Sequence, residues 1–257
     1  MGYLEELLSS TRARLEETRA KVTEEALEQR ISSVAKPRGF RTSLTGPDTA
    51  VIAEVKRASP SKGPLNEGLD AAVLSRSYAE GGAAAISVLT EPSGFKGSLD
   101  DLHAVIPAGL PVLRKEFIVD PFQILESRAE GADAVLLIVR AVGAELGALF
   151  AATRALGMDA LVEVFDESDL DRALEVGADV IGINHRDLET FEVDPERTAK
   201  LAPQVPDGVV IVGLSGVETR ADVEAMAAAG AHAVLVGEAL VTAQDPVAKL
   251  RELRGLR

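Results

Sequence analysis

The sequence predicts a (β/α)8 (TIM) barrel with an additional N-terminal helical segment, and three observations lead there. From residue 51 the chain alternates short apolar runs with amphipathic stretches. The runs number eight: 51–56, 83–89, 110–114, 134–139, 159–164, 179–184, 208–213 and 232–237. Gly82-Ala83, Gly131-Ala132, Gly177-Ala178 and Gly230-Ala231 each follow a helical pattern and lead into a run. Their spacings of 49, 46 and 53 residues correspond to about two βα units apiece. The length, 257 residues, is one that α/β barrels commonly use as a single domain. An open doubly wound sheet is the alternative, but it would carry a Gly-rich loop after its first strand, and none is present.

In chain order, residues 1 to about 34 read as helix, with Leu4, Leu7, Leu8, Leu15, Val22, Ala26, Leu27 and Ile31 forming a broken apolar stripe. Too few heptads support a coiled coil. Lys36-Pro37-Arg38-Gly39-Phe40 breaks the pattern, so residues 1–45 form an extension expected to cap the active-site end of the barrel. The rest, to residue 257, is expected to form one domain with it. The first run, Val51-Ile52-Ala53-Glu54-Val55-Lys56, ends in a loop of Ser, Pro, Lys and Gly. Amphipathic segments at Asp70–Glu80, Pro121–Glu130, Glu167–Val176 and Thr219–Ala229 supply outer helices. In each Gly-Ala pair the Gly suits a left-handed helix end, and the small Ala allows a tight turn into the next strand.

Composition narrows the function classes. The 27 basic against 41 acidic residues give a net charge of −14, which argues against nucleic-acid or anionic-membrane partners. An anionic small molecule would need a local cluster of cations and N–H groups. The absence of cysteine removes disulfides, thiol nucleophiles and thiolate metal sites. No stretch has the apolar core of a signal peptide or the length of a membrane span, so a cytoplasmic protein is expected. A monomer or weak homo-oligomer is the expected state.

Barrel enzymes place their chemistry at the C-terminal ends of the strands. Glu54 and Lys56, two apart, point to one face of the first strand, and burying them is costly unless they pair or do chemistry. Lys115 ends the third run, with Arg114 on the opposite face. Glu163 lies in the fifth run. Asn184-His185-Arg186 follows the sixth, Ser215-Gly216 the seventh and Gly237-Glu238 the eighth. The last two loops lie where barrels bind phosphate through backbone N–H groups, with glycine permitting close approach. A structural ion-pair network is the bland reading, yet it would not need these phosphate-type loops. His103, His185 and His232 fall in a helical pattern, facing away from the lumen and at the wrong end of a strand, so no metal is expected.

The segments Glu54-Val55-Lys56-Arg57-Ala58-Ser59-Pro60-Ser61-Lys62-Gly63, Leu113-Arg114-Lys115-Glu116-Phe117, Leu161-Val162-Glu163-Val164, Gly182-Ile183-Asn184-His185-Arg186-Asp187-Leu188, Ser215-Gly216-Val217 and Leu235-Val236-Gly237 occur in this order. This set resembles the indole-3-glycerol phosphate synthase family from about residue 45 to the end. The resemblance implies a cofactor-free lyase of tryptophan biosynthesis acting on a phosphosugar-anthranilate. Lys115 would be the general acid for ring closure, and Glu163 would stabilise the cationic intermediate or transfer protons. Lys56 would bind the substrate carboxylate, with Glu54 as its acid/base partner. Asn184 and Arg186 would orient the carboxylates, and Ser215 would hold Glu54 or the substrate diol.

The same resemblance implies that Ser59 and the N–H groups of Gly216, Gly237 and Glu238 hold the phosphate. Glu238 stands where some relatives have Ser, so only its N–H is used. Pro60, Phe117, Leu188 and Leu136 or Leu137 would pack against the aryl ring. Lys56, as a like charge, is expected to depress the Lys115 pKa, opposed by Glu54 and Glu163. Another phosphosugar barrel enzyme, such as an isomerase, would not require both lysines with Glu163, and a non-catalytic phosphometabolite-binding barrel is the reading from another class.

Overall fold

The computed structural model describes residues 2–187 and 190–256. Eight parallel strands close into a barrel: β1 (Ala50–Val55), β2 (Ala85–Leu89), β3 (Val112–Lys115), β4 (Ala134–Ile138), β5 (Asp159–Val164), β6 (Val180–Asn184), β7 (Val210–Leu214) and β8 (Ala233–Val236). Each expected run contains one strand. Closure is complete because Ile52 of β1 pairs on one side with Ala85 of β2 and on the other with Leu235 of β8. Closure leaves none of the eight barrel strands with an open edge.

Alternation along β1 sorts the core. Val51, Ala53 and Val55 face the helices, while Ile52 joins an inner layer with Ala85, Leu113, Ala134, Leu161, Val180, Val210 and Ala233. Outer helices include Ala71–Gly81, Leu99–Val105, Pro121–Ala129, Leu146–Ala155, Glu167–Glu175, Arg220–Ala228 and Pro246–Leu253. Their starts are built by local hydrogen bonds: Asp70 accepts from the Val73 N–H at 3.0 Å, and Thr219 and Asp222 form a reciprocal capping box. Gly82, Gly131, Gly177 and Gly230 all take positive φ, between 77° and 105°, as the Gly-Ala repeat requires. Among the described residues no helix is long and apolar enough to cross a membrane.

The N-terminal extension departs from expectation in two ways. It is not one helix: α1 (Tyr3–Arg19) and α2 (Glu24–Ser33) are separated at Thr23, whose side chain caps α2 by accepting from the Ala26 N–H at 3.2 Å. Nor does the whole of 1–45 cap the active-site end. Only α1 lies over the C-terminal mouth, where Leu7 and Leu8 join the inner core. The α2 helix descends the barrel's side, packing Leu27 with Phe122 and Ala129. The short α3 (Phe40–Ser43) closes the opposite end.

That lower closure is anchored at the N-terminal ends of strands. The Arg38 N–H and Nε donate to Asp133 at 2.6 and 2.9 Å, and the Arg41 N–H donates to Asp159 at 2.9 Å. Phe40 and Leu44 are fully buried within the inner layer. The reason is geometric: a barrel has two open ends, and apolar side chains on a chain that wraps it can fill both. Phe40→Ala should therefore remove a plug that no neighbour replaces, at a cost of about 3–5 kcal/mol. Urea unfolding should show a clearly lower midpoint; an unchanged midpoint would mean that this end packs without it.

Candidate active site

The side chains at the C-terminal mouth are brought in by different strands. Glu54, the penultimate residue of β1, is buried to 1 % exposure. Its backbone carbonyl accepts from the hydroxyl of fully buried Tyr78 at 2.9 Å, which fixes the strand end. Lys56, one residue beyond β1, keeps the inward direction and meets Glu54 Oε1 at 3.2 Å. Lys115, the last residue of β3, reaches Glu54 Oε2 at 2.9 Å. One carboxylate thus bridges two ammonium groups. Gly237, just after β8, makes room for the pair: a Cβ there would lie 2.4 Å from Glu54 Oε1 and 3.0 Å from Lys56 Nζ.

A second group is centred on Asn184 at the end of β6. Its Nδ2 donates to Glu163 Oε1 at 3.0 Å, and its Oδ1 accepts from Ser215 Oγ at 2.9 Å and from the Arg186 N–H at 3.0 Å. The amide orientation is therefore determined by its neighbours. Ser215 has φ of 66° and Gly216 of 81°, so the chain after β7 turns through the left-handed region that a serine rarely adopts.

The two groups shift each other's ionisation. Burial pushes the Glu54 carboxyl up, but Lys115 and Lys56 outweigh it and hold it below the usual carboxylate range. Burial pushes the Lys115 ammonium down, yet Glu54 and Glu163 hold it above the usual lysine value. The expected depression of Lys115 is thus overturned: the two carboxylates prevail over burial. Burial raises Glu163, and Asp169 and Glu54 add to this against the opposing pull of Lys115 and Asn184.

Most of these groups line two adjoining cavities. One, about 110 Å³, is walled by Lys56, Lys115, Ser59, Pro60 and Phe117, and roofed by Tyr3, Leu4 and Leu7 of α1. The other, about 90 Å³, is bounded by Ser215, Gly216, Gly237 and Glu238. Glu54, Lys56, Lys115 and Arg186 border both. Ser59 Oγ is buried and has no hydrogen-bond partner among the described residues. The Glu238 carboxylate turns outward to Lys62 Nζ at 2.5 Å, leaving its N–H at the start of a short helix.

Several sequence assignments are corrected. Within the protein Ser215 donates to Asn184 rather than to Glu54, because the left-handed turn points its hydroxyl along the β6 side, and it borders both cavities where the expected diol contact would lie. The Arg186 guanidinium donates to the Phe191 carbonyl at 3.0 Å through Nη1, a contact the sequence did not show, and it borders both cavities. Leu137 faces the helix layer and Leu136 the inner core, as strand alternation requires, so Leu137 cannot reach a ligand in the mouth. Leu188 lies outside the described residues. His185 bonds Thr198 Oγ1 at 2.7 Å behind the sheet, and burial lowers its pKa to about 4, which keeps it neutral.

The sequence reading missed Tyr3, Leu4, Leu7, Phe95 and Phe191, all of which line the first cavity. In a chain with seven Phe and two Tyr, Tyr3, Phe95, Phe117 and Phe191 gather at one place, which positions so far apart in the chain do not reveal. Tyr3 meets Phe191 edge to face at 5.3 Å between ring centroids.

Comparison with known proteins identifies the family. The family model described as indole-3-glycerol phosphate synthase matches residues 4–253. Indole-3-glycerol phosphate synthase 2 of Streptomyces coelicolor is 51% identical over 256 residues, covering 99% of each chain. The indole-3-glycerol phosphate synthase of a Parafrankia species is 50% identical, over 96% of this chain and 92% of that one. Among solved structures, thiamine phosphate pyrophosphorylase from Pyrococcus furiosus superposes with a TM-score of 0.60 at 17% identity, covering 84% of this chain and 96% of that one. The 3-hexulose-6-phosphate synthase of Salmonella typhimurium superposes with a TM-score of 0.60 at 18% identity, over 80% and 97%. These last two likenesses speak to the barrel alone. With a family match across nearly the whole chain and relatives at half identity, the protein belongs to the indole-3-glycerol phosphate synthase family.

Proposed function

We propose that the mouth closes the indole ring of 1-(2-carboxyphenylamino)-1-deoxyribulose 5-phosphate, releasing CO2 and water. The observation that carries this reading is the pairing of Lys115 and Lys56 to one buried carboxylate, with Glu163 and Asn184 alongside. The aryl carbon bearing the carboxylate attacks the ketone carbon, and Lys115 delivers a proton to the ketone oxygen as the new bond forms. A raised pKa keeps Lys115 charged at neutral pH, so the acid is always loaded. Its effectiveness then rests on position and on exclusion of water. The resulting cation is stabilised by the ionised Glu163. Loss of CO2 returns the electron pair to the ring. The former ketone oxygen, now a hydroxyl, leaves as water with a second proton, and a proton lost from the neighbouring carbon restores aromaticity. Lys56 and Glu54 serve the substrate carboxylate and this dehydration.

The phosphate end fits the second cavity. The N–H groups of Gly216, Gly237 and Glu238 supply hydrogen bonds there, and Ser59 Oγ, buried without a partner among the described residues, donates from the wall of the adjoining first cavity. Pro60 and Phe117 are the aryl contacts of this reading, now joined by the α1 roof.

Following indole absorbance or fluorescence on mixing protein and substrate tests this directly, since the chain has no Trp. Lys115→Met should cut turnover by at least about 10²–10⁴-fold while KM changes little. Substrate binding without turnover in the wild-type protein would instead support a phosphometabolite-binding barrel. A pH–rate profile supplies an independent check. Burial raises the Glu163 pKa, so its carboxylate is lost at higher pH than an ordinary glutamate, and the acid limb should lie above the usual range. In Asn184→Ala the donor that opposes this rise is removed, so the limb should move further up. An acid limb unmoved by that change would count against an ionised Glu163 in the reaction.

A further inference from the structure

Beside the mouth, under α1, lies a larger cavity of about 390 Å³ that none of Glu54, Lys56, Lys115 or Glu163 borders. Arg14 of α1 stands in its wall, and its guanidinium connects two buried carboxylates. Nη1 donates to Glu91 Oε1 at 3.2 Å and Nη2 to Glu116 Oε1 at 3.3 Å. Ser10 and Thr11 on the same helix accept from the same fork at 3.0 and 3.1 Å, which holds the guanidinium in plane with both partners.

Each carboxylate in turn organises one aromatic wall of the active-site cavity. Glu91, with no exposure, accepts from the N–H groups of Ser93, Gly94 and Phe95 at 2.8, 2.6 and 3.3 Å, shaping the turn that presents Phe95. Glu116 accepts from the Phe117 N–H at 3.0 Å and from Thr90 Oγ1 at 3.0 Å. It directly follows Lys115 in the chain. The turn that presents Phe95 is also seated against α1: a Cβ on Gly94 would lie 2.6 Å from Tyr3 Oη. Phe95, Phe117, Tyr3, Leu4 and Leu7 together form the apolar side of the cavity.

We infer that Arg14 is a positioning residue for the aryl end of the substrate, a role that deepens the ring-closing reading and rests on it. One guanidinium holds the roof helix to both aromatic walls at once. Ser10 Oγ also meets Ser93 Oγ at 3.2 Å, but only the guanidinium's two arms reach both carboxylates, and one side of the clamp borders the large cavity. Arg114 also acts on Glu116, but its Nη1 is committed to Glu126 at 2.8 Å and Ser127 at 3.1 Å. Lysine is no substitute for a planar fork with two partners. Gly216 and Gly237, at the phosphate end, line neither the large cavity nor the aromatic one.

The test compares wild-type protein, Arg14→Ala and Arg14→Lys in steady-state turnover of the carboxyphenylamino-deoxyribulose phosphate, with inorganic phosphate as a competitive inhibitor. Arg14→Ala should raise KM by about tenfold or more, with kcat within about threefold and the phosphate inhibition constant unchanged. Arg14→Lys should restore only part of the loss, and it provides the same readout should the alanine variant fail to fold. Equal weakening of substrate and phosphate would mark general damage and overturn the assignment. A fall in kcat with KM unchanged would overturn it too, as would no change at all. Wild-type protein without turnover would remove the ring-closing reading and this assignment with it, whereas wild-type turnover with an indifferent Arg14→Ala would remove only the assignment.

Discussion

Glu54 is the pivot of the mouth. It is almost completely buried, and an ionised carboxylate in such a place survives only if its charge is matched. Two ammonium groups, from the end of β1 and the end of β3, supply that match. The consequences run both ways. The lysines keep Glu54 ionised, and Glu54 with Glu163 keeps Lys115 charged inside protein. Removing any one charge would strand the others, so the geometry of this cluster constrains everything built around it. That includes the glycine at 237, where even a methyl group would collide with the carboxylate.

The barrel supports this cluster by leaving little freedom. Closure between β1 and β8 fixes the relative heights of the strand ends, and alternation decides which side chains enter the mouth. Asn184 carries the constraint across the mouth, joining Ser215 after β7 to Glu163 on β5. The N-terminal extension then closes both ends of the barrel by different means. At the lower end Phe40 and Leu44 fill apolar space, while at the upper end α1 contributes an apolar roof and a charged clamp. The lower closure lends stability, and the upper one shapes the site.

The barrel's strands were legible because their signal is local. Eight apolar runs and four Gly-Ala turns report backbone preferences that need no partner to interpret. Lys115, Glu163 and Asn184 were legible too, as polar residues at strand ends where an apolar side chain would be the default. Ser215 and Arg186 were located, but their contacts within the protein, to Asn184 and Phe191, were not legible. Their side-chain directions depend on a left-handed turn and on a loop carbonyl at Phe191, and residue spacing reports neither. Lys115's ionisation was misjudged for a related reason. The sign of its pKa shift depends on the distances among Lys115, Glu54 and Glu163, three charges from three strands, and no two of these are close in the chain.

By itself, the sequence determined the fold class, the end of the barrel that carries the polar groups, and the residues that gather there. It did so because strand periodicity and the C-terminal-end rule turn chain position into a place on the barrel. Tertiary structure alone decided which of those residues touch, where the N-terminal extension runs, and that Arg14, Glu91 and Glu116 form one unit. Glu91 and Glu116 lie 77 and 102 positions from Arg14 along the chain, and their pairing exists only because α1 crosses a closed barrel at that point. Local preferences cannot encode a contact between segments so far apart; packing creates it.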